Sequence, residues 1–267
     1  MNYHLASVVC TDWDIDLIPH WIRHHAALGL DSYRVWLNSP GEKWDTFRTA
    51  HNLFFDAGWT IGHIVGSYTA AEIRSETLGG YQKTLGANEV LVTVDSDEFL
   101  MVEGSRLRDM MECGEYEAVA GVLVDRYDHT LHDARPDVPL ADQFPFVGDI
   151  QQMILAKHPE LIPMMKRTVS DKIVASFARI PIDHSGAHPV GHYGPMGEAA
   201  VCPDIVDIYH YSWRSTALDR VAAKPYNPIH YTWFLGEMFG MTDEELRARL
   251  ADHIREAEAA QTAKGWS

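Results

Sequence analysis

Apolar and polar positions alternate along this chain in blocks that read as strand, helix, strand, helix. Leu5 to Thr11 (LASVVCT) is an apolar run of strand length ending at the polar cluster Asp12-Trp13-Asp14. Asp16 and Pro19 suit a helix start, and Ile18, Trp21, Ile22, His25 and Leu28 then recur at helical spacing until Gly29. Ser32 to Leu37 (SYRVWL) predicts a second strand, Trp44 to Ala57 a helix, and Trp59 to Val65 a third strand. Ala70 to Leu85 reads as a helix interrupted by Gly79-Gly80, either a weak point or a place of close backbone approach. Glu89 to Val94 is the fourth strand. Four alternations of this kind predict an α/β fold with a mostly parallel sheet flanked by helices.

Beyond that point the pattern loosens. Leu107 to Cys113 predicts a short helix, and Glu117 to Val124 (EAVAGVLV) a strand that leads into Asp125. His129 to Gly148 is rich in Asp, Pro and His and shows no period; a loop of that length is usually functional or disordered. Lys172 to Ile180 and Ile205 to Tyr211 predict late strands, with a polar turn at Asp183-His184 and His188-Pro189 between them. Ser215 to Ala223 and Thr242 to Ala260 predict C-terminal helices, the second opened by Thr242 and Glu245 at capping-box spacing.

The most informative stretch is Val92-Thr93-Val94-Asp95-Ser96-Asp97-Glu98-Phe99-Leu100. A β-branched run delivers three carboxylates in four residues to the carboxyl end of a strand, where ligands collect in open α/β sheets. Asp95 and Asp97, two positions apart, suit a hard cation such as Mn²⁺ or Mg²⁺ through oxygen ligands. The competing structural reading is a strand followed by a solvated acidic turn. Phe99 and Leu100 read as core, and His24-His25 as packing on the first helix.

Composition narrows the partners. The chain has 267 residues and a net charge of −16, a surface that disfavours nucleic acid and anionic lipid. No apolar run reaches transmembrane length, and Met1-Asn2-Tyr3-His4 does not start a signal peptide. The 3 cysteines, Cys10, Cys113 and Cys202, fit neither a zinc pattern nor a disulfide set, so a cytoplasmic protein is expected. The glycine fingerprints of dinucleotide and P-loop sites are absent, as are a G-x-S-x-G elbow and an H-E-x-x-H helix.

Asp95-Ser96-Asp97-Glu98-Phe99-Leu100 resembles the D-x-D-E-F-L segment of GT-A-type glycosyltransferases of the family 2-like and family 92-like groups. Other segments are similar in the same order: Pro19-His20-Trp21-Ile22 with His25, then Val35-Trp36-Leu37-Asn38-Ser39, Lys172-Ile173-Val174, His188-Pro189, and Ile208-Tyr209-His210-Tyr211 with Arg214-Ser215. Together they span about Leu5 to Lys224. Three positions depart from the pattern. Trp13 and Asp14 stand where Asn and Glu are usual, and Leu37 stands where an Asp precedes Asn38. These departures bear on the contacts to the donor's nucleobase or ribose.

The resemblance implies a GT-A-like domain over residues 1–225 with a helical extension over 226–267. It implies a metal-dependent, inverting transfer of a sugar from a nucleotide-sugar donor, UDP-sugar favoured, to a glycan or other hydroxyl acceptor. Thr11, Asp14, Asn38, Asp95, Lys172 and Arg214 become the donor-binding candidates. Asp95, Asp97 and His210 become the metal candidates, with Glu98 in support. Asp183 and His188 are the catalytic candidates; Asp171 and Asp125 also lie near strand ends, and His188 is a rival third metal ligand. Arg74 is a weaker phosphate candidate. Two rival readings use the same carboxylates: a metal-dependent phosphoesterase or nucleotidyltransferase, and a non-catalytic nucleotide-sugar-binding relative.

Overall fold

The computed structural model describes residues 1–39, 43–64, 70–128, 130–148, 171–180 and 201–217. Its first strand, β1 (Tyr3–Cys10), is buried at every position but His4, as a strand covered on both faces must be. It lies between β2 (Ser32–Asn38) and β4 (Val90–Thr93), parallel to each, and β3 (Thr60–Ile64) runs parallel outside β2. In register, Cys10 faces Asn38 and Asn38 faces Ile64, so these carboxyl ends are level at one edge of the sheet. Helices α1 (Thr11–Asp14), α2 (Ile18–Ala26), α3 (Trp44–Asp56) and α4 (Ala70–Gln82) fill the connections.

Successive β1 side chains point to opposite faces. Ala6 and Val8 pack with Leu91 of β4 and Leu78 of α4, with Trp36 and Tyr81 closing over them. An aromatic core lies under α2 and α3: Trp21 sits 5.3 Å from Trp59 and 6.1 Å from Phe54 between ring centroids, and Tyr33 stacks on Trp59 at 4.7 Å. The Gly79-Gly80 pair does not break α4. A Cβ on Gly80 would meet nothing within 4 Å, so no close approach explains that residue.

The second half of the sheet is antiparallel. After α5 (Gly104–Glu112) come β6 (Ala118–Tyr127), the short α6 (Leu140–Gln143), β7 (Phe146–Gly148), β8 (Asp171–Phe177) and β9 (Val201–Trp213). The order across the sheet is β3-β2-β1-β4-β8-β6-β9-β5, with β7 beside β6. The expected α/β class and its parallel block therefore hold. The antiparallel pairing of β8 with both β4 and β6 adds a half that hydrophobic pattern alone does not reveal. Strand β5 (Glu98–Leu100) also goes beyond the sequence reading: the apolar residues after the acidic turn pair antiparallel with Ile208, Tyr209 and His210 of β9. Phe99 and Leu100 are buried, as expected.

The chain divides into two compact units, Met1–Asp125 with Gly148–His210, and Arg126–Val147 with Tyr211–Ser267. In the second, the aperiodic stretch before Gly148 is ordered by polar contacts. The Gln143 side chain accepts from the Arg135 N–H at 2.7 Å and donates to the carbonyls of Arg135 and Val138. Phe144, fully buried, stacks against His132 at 4.8 Å and meets Tyr211 edge-on at 5.6 Å. The expected C-terminal helices beyond Ala217, the boundary at residue 225, Asp183 and His188 lie outside the described residues.

Candidate functional site: an acidic turn at the carboxyl edge of the sheet

Strand β4 ends at Thr93, and the chain folds into a tight turn over Asp95-Ser96-Asp97-Glu98. The turn is closed reciprocally. The Glu98 N–H donates to the Asp95 carbonyl at 3.1 Å, and the Asp95 N–H donates to Glu98 Oε2 at 2.8 Å. The indole N–H of Trp21 reaches in from α2 and is shared by the carbonyls of Asp95 and Glu98, 3.0 Å from each. The Ser7 hydroxyl donates to the Val94 carbonyl just upstream at 2.7 Å. With Val94, Asp95 and Glu98 bonded through their backbone groups, both ends of the turn are held.

Lys172, second residue of β8, is 1% exposed, and its ammonium donates to Glu98 Oε2 at 2.5 Å and to Asp95 Oδ2 at 3.4 Å. Glu98 is itself buried, so its carboxylate is spent inside the protein on Lys172 and the Asp95 N–H. Asp95 retains partial exposure, 26% of its side chain. Ser96, between the two aspartates, donates its hydroxyl to Asp14 Oδ2 at 2.5 Å, tying the turn to α1.

Asp97 faces the other way. Its Oδ2 lies 3.2 Å from His210 Nε2, and Asp125 Oδ1, at the end of the β6 portion in the same unit, lies 2.7 Å from His210 Nδ1. Burial pulls the His210 imidazole down, but the Asp97 carboxylate and the hydrogen bond to Asp125 outweigh it and lift the group from 6.5 to about 10. In this arrangement the ring is an imidazolium bridging two carboxylates.

The remaining candidates on the first unit gather at the ends of β1 and β2. The Thr11 hydroxyl donates to the Asn38 carbonyl at 3.2 Å, and the Asn38 side chain donates to the Ile64 carbonyl at 3.2 Å. Ser39 donates to Asp12 Oδ1 at 2.5 Å. Thr11, Asp14 and Asn38 are all buried, so this end of the sheet is a polar seam under the edge. Arg214 belongs to the second unit; it is fully buried and its Nε donates to the Tyr211 carbonyl at 2.6 Å. Asp171 begins β8, and the side chains of Asp171 and Arg74 lie outside the described residues. His24 and His25 pack as the sequence suggests. His24 Nε2 meets the Leu100 carbonyl at 2.7 Å, and His25 lies 4.4 Å from the Trp21 ring.

Among the described residues, no three His, Cys, Asp or Glu side chains form a complete metal-ligating group. Two ligand atoms about 2.1 Å from a shared ion at right angles lie about 3.0 Å apart, and Asp97 Oδ2 and His210 Nε2 are separated by 3.2 Å. Carboxylate oxygens suit Mn²⁺ or Mg²⁺.

Two contributors have no sequence signal of their own. Ser96 gains its role from Asp14 across the sheet edge, and Trp21 from carbonyls it meets only in the fold. Their positions, beside the aspartates and on the first helix, are suggestive only once the turn is seen closed.

Fold and site together define an α/β protein with a rigid acidic turn at the carboxyl edge of its parallel strands. No protein-family model matches the chain, and no curated protein matches it. By structure it is similar to glucosyl-3-phosphoglycerate synthase from Mycobacterium tuberculosis, solved with Mg²⁺ and uridine diphosphate, at TM-score 0.41 and 12% identity over 91% of this chain and 80% of that one. It is similar to HddC from Yersinia pseudotuberculosis at TM-score 0.41 and 8% identity over 78% of this chain and 93% of that one. An active-site mutant of LgtC matches at TM-score 0.30 and 12% identity over 45% of this chain, which spans 46% of that protein's length.

Proposed function

We propose that this protein is a glycosyltransferase that moves a sugar from a nucleotide-sugar donor, a UDP-sugar in the favoured form, to a hydroxyl acceptor with inversion. The observation that carries the proposal is the clamped Asp95–Glu98 turn. Two carboxylates are presented at the carboxyl edge of the sheet while Lys172, Ser96 and Trp21 are spent holding them there.

Asp95 and Asp97 would hold a divalent cation, with His210 as third ligand. When bound, Mn²⁺ or Mg²⁺ supplies charge neutralisation for a diphosphate leaving group. The chain's own part is to orient the donor and to keep the acidic turn from relaxing. Thr11, Asp14 and Asn38 line the seam assigned to the donor, Lys172 steadies the acidic turn through Glu98 and Asp95, and Arg214 is a donor candidate on sequence grounds alone. An inverting transfer needs one base on the acceptor hydroxyl. That role is assigned to Asp183, with His188 close in sequence, both on sequence grounds alone.

A cytoplasmic location belongs to the same proposal. Among the described residues no helix is long and apolar enough to cross a membrane, and no disulfide joins Cys10, Cys113 and Cys202.

Calorimetric titration with nucleoside diphosphates in the presence and absence of Mn²⁺ tests the proposal. Binding that requires the metal and is abolished by Asp97→Ala, in a variant that melts as wild type does, is the expected result. Metal-independent binding, or none, overturns it. Incubation with a sugar nucleotide then separates transfer from hydrolysis: a glycoside supports the proposal, and nucleotide products with no glycoside from any acceptor refute it.

A further inference from the structure

We infer that Asp125 is a positioning residue for His210: it accepts the Nδ1–H and thereby fixes the ring so that Nε2 faces Asp97. The inference rests on the reading of Asp97 as a metal ligand and extends that reading to a carboxylate that does not itself touch the ion.

The geometry comes from three strands. β9 lies between β6 and β5 in the sheet. Its pairing with β5 sets His210 opposite Glu98, one residue past Asp97. Its other neighbour, β6, brings Asp125 to the far side of the same ring. The imidazole is thus held at both nitrogens, with Nδ1 2.7 Å from Asp125 Oδ1 and Nε2 3.2 Å from Asp97 Oδ2. The shorter contact is the one to Asp125. A neutral imidazole carries one N–H and one lone pair. When a cation takes the place of the Nε2 proton of the imidazolium, the N–H that remains is the one committed to Asp125, and the lone pair on Nε2 faces the side where Asp97 presents its oxygen.

Histidines that bind metals usually donate their other ring N–H to a carboxylate or carbonyl, which sets ring orientation and raises basicity at the ligating nitrogen. Asp125 stands in that relation to His210. Its side chain is 13% exposed. A carboxylate this enclosed gains little as a surface charge, and an ion pair inside a protein is weak evidence of a purely stabilising role. A purely structural Asp125 would change the melting temperature when replaced. It would leave metal affinity in the folded protein untouched.

The test measures Mn²⁺ binding to the full chain by the loss of free-ion electron paramagnetic resonance signal, with Mn²⁺ alone and with Mn²⁺ plus UDP. Asp125→Ala is expected to weaken Mn²⁺ about 10- to 100-fold, the usual consequence of removing such a partner. Asp125→Asn, which keeps an acceptor oxygen, is expected to recover most of that loss. In a His210→Ala background, Asp125→Ala is expected to change affinity less than twofold. Loss in Asp97→Ala but binding within twofold of wild type in Asp125→Ala overturns the inference and spares the proposed function. So does an equal loss from Asp125→Ala with and without His210. A wild-type protein that binds no Mn²⁺, or an Asp97→Ala variant that binds as wild type, overturns both. Should Asp125→Ala fail to fold, ¹⁵N-histidine spectra of the wild-type protein with Mg²⁺ and UDP decide. A His210 ring protonated at Nδ1 supports the inference, and one protonated at Nε2 refutes it.

Discussion

Lys172→Met is the sharpest probe of what holds the acidic turn. The ammonium and Glu98 Oε2 are 2.5 Å apart, and the two side chains are 1% and 2% exposed. At an effective dielectric near 20 their gross attraction is about 7 kcal/mol, most of it offset by the loss of hydration of both ions. Methionine keeps roughly the length and apolar stem of lysine but leaves Glu98 buried without its cation and dependent on the Asp95 N–H alone. Removing one member of a buried pair costs about 3–5 kcal/mol, and that is the loss expected in urea unfolding followed by tryptophan fluorescence. Glu98→Gln keeps an oxygen for the Asp95 N–H and leaves Lys172 with Asp95, so its cost should be the smaller one. The double variant should be more stable than Lys172→Met alone, with a coupling of about 2 kcal/mol between the sites. A Lys172→Met cost below about 1 kcal/mol, or single-variant costs that simply add, would refute this account of the turn.

The glycines separate packing from helix propensity. A Cβ on Gly104, at the start of α5, would lie 1.8 Å from the Leu28 carbonyl oxygen; Gly104→Ala should destabilise by about 3 kcal/mol or more because backbone must move. Gly80→Ala, inside α4 with nothing within 4 Å, should stabilise by about 0.5–1 kcal/mol; thermal melts of both variants check the contrast. Acid should weaken the fold through His25, which burial and the neighbouring His24 push well below 6.5 against the opposing hydrogen bond from its ring to the Trp21 carbonyl. The unfolded chain then takes up the proton first as pH falls below 6.5, so stability is full above that pH and is lost progressively below it. Urea midpoints at pH 7.5 and 5.0 should converge in His25→Gln relative to wild type, and an unchanged difference would remove His25 from the cause.

Much of the parallel half is legible in the sequence because its signals are local. β1 and β4 are short apolar runs, the helices between them carry periodic faces, and Asp95 and Asp97 follow directly on a β-branched strand. The polar seam is less legible. Asp14 can be singled out by its position after β1, yet its partner Ser96 is identified only when β1 and β4 are placed side by side. The stretch ahead of Gly148 gives no period because its order comes from Gln143 bonding to backbone and from Phe144 between His132 and Tyr211, neither of which repeats along the chain.

Strand direction accounts for the rest. A search of the sequence for site residues favours the carboxyl ends of strands, and that serves for Cys10–Asn38, for Asp95 and for Asp125. It fails for β8, which runs against β4 with Val90 opposite Phe177 and Val92 opposite Ala175. Continuing that register three residues past Val92 sets Asp95 opposite Lys172, at the start of β8 rather than its end. An antiparallel strand inserted beside a parallel one thus delivers its first residues to the edge where its neighbour delivers its last. The buried Lys172 ammonium arrives by that route, and so the cation that holds Asp95 and Glu98 comes from the half of the sheet that sequence periodicity does not orient.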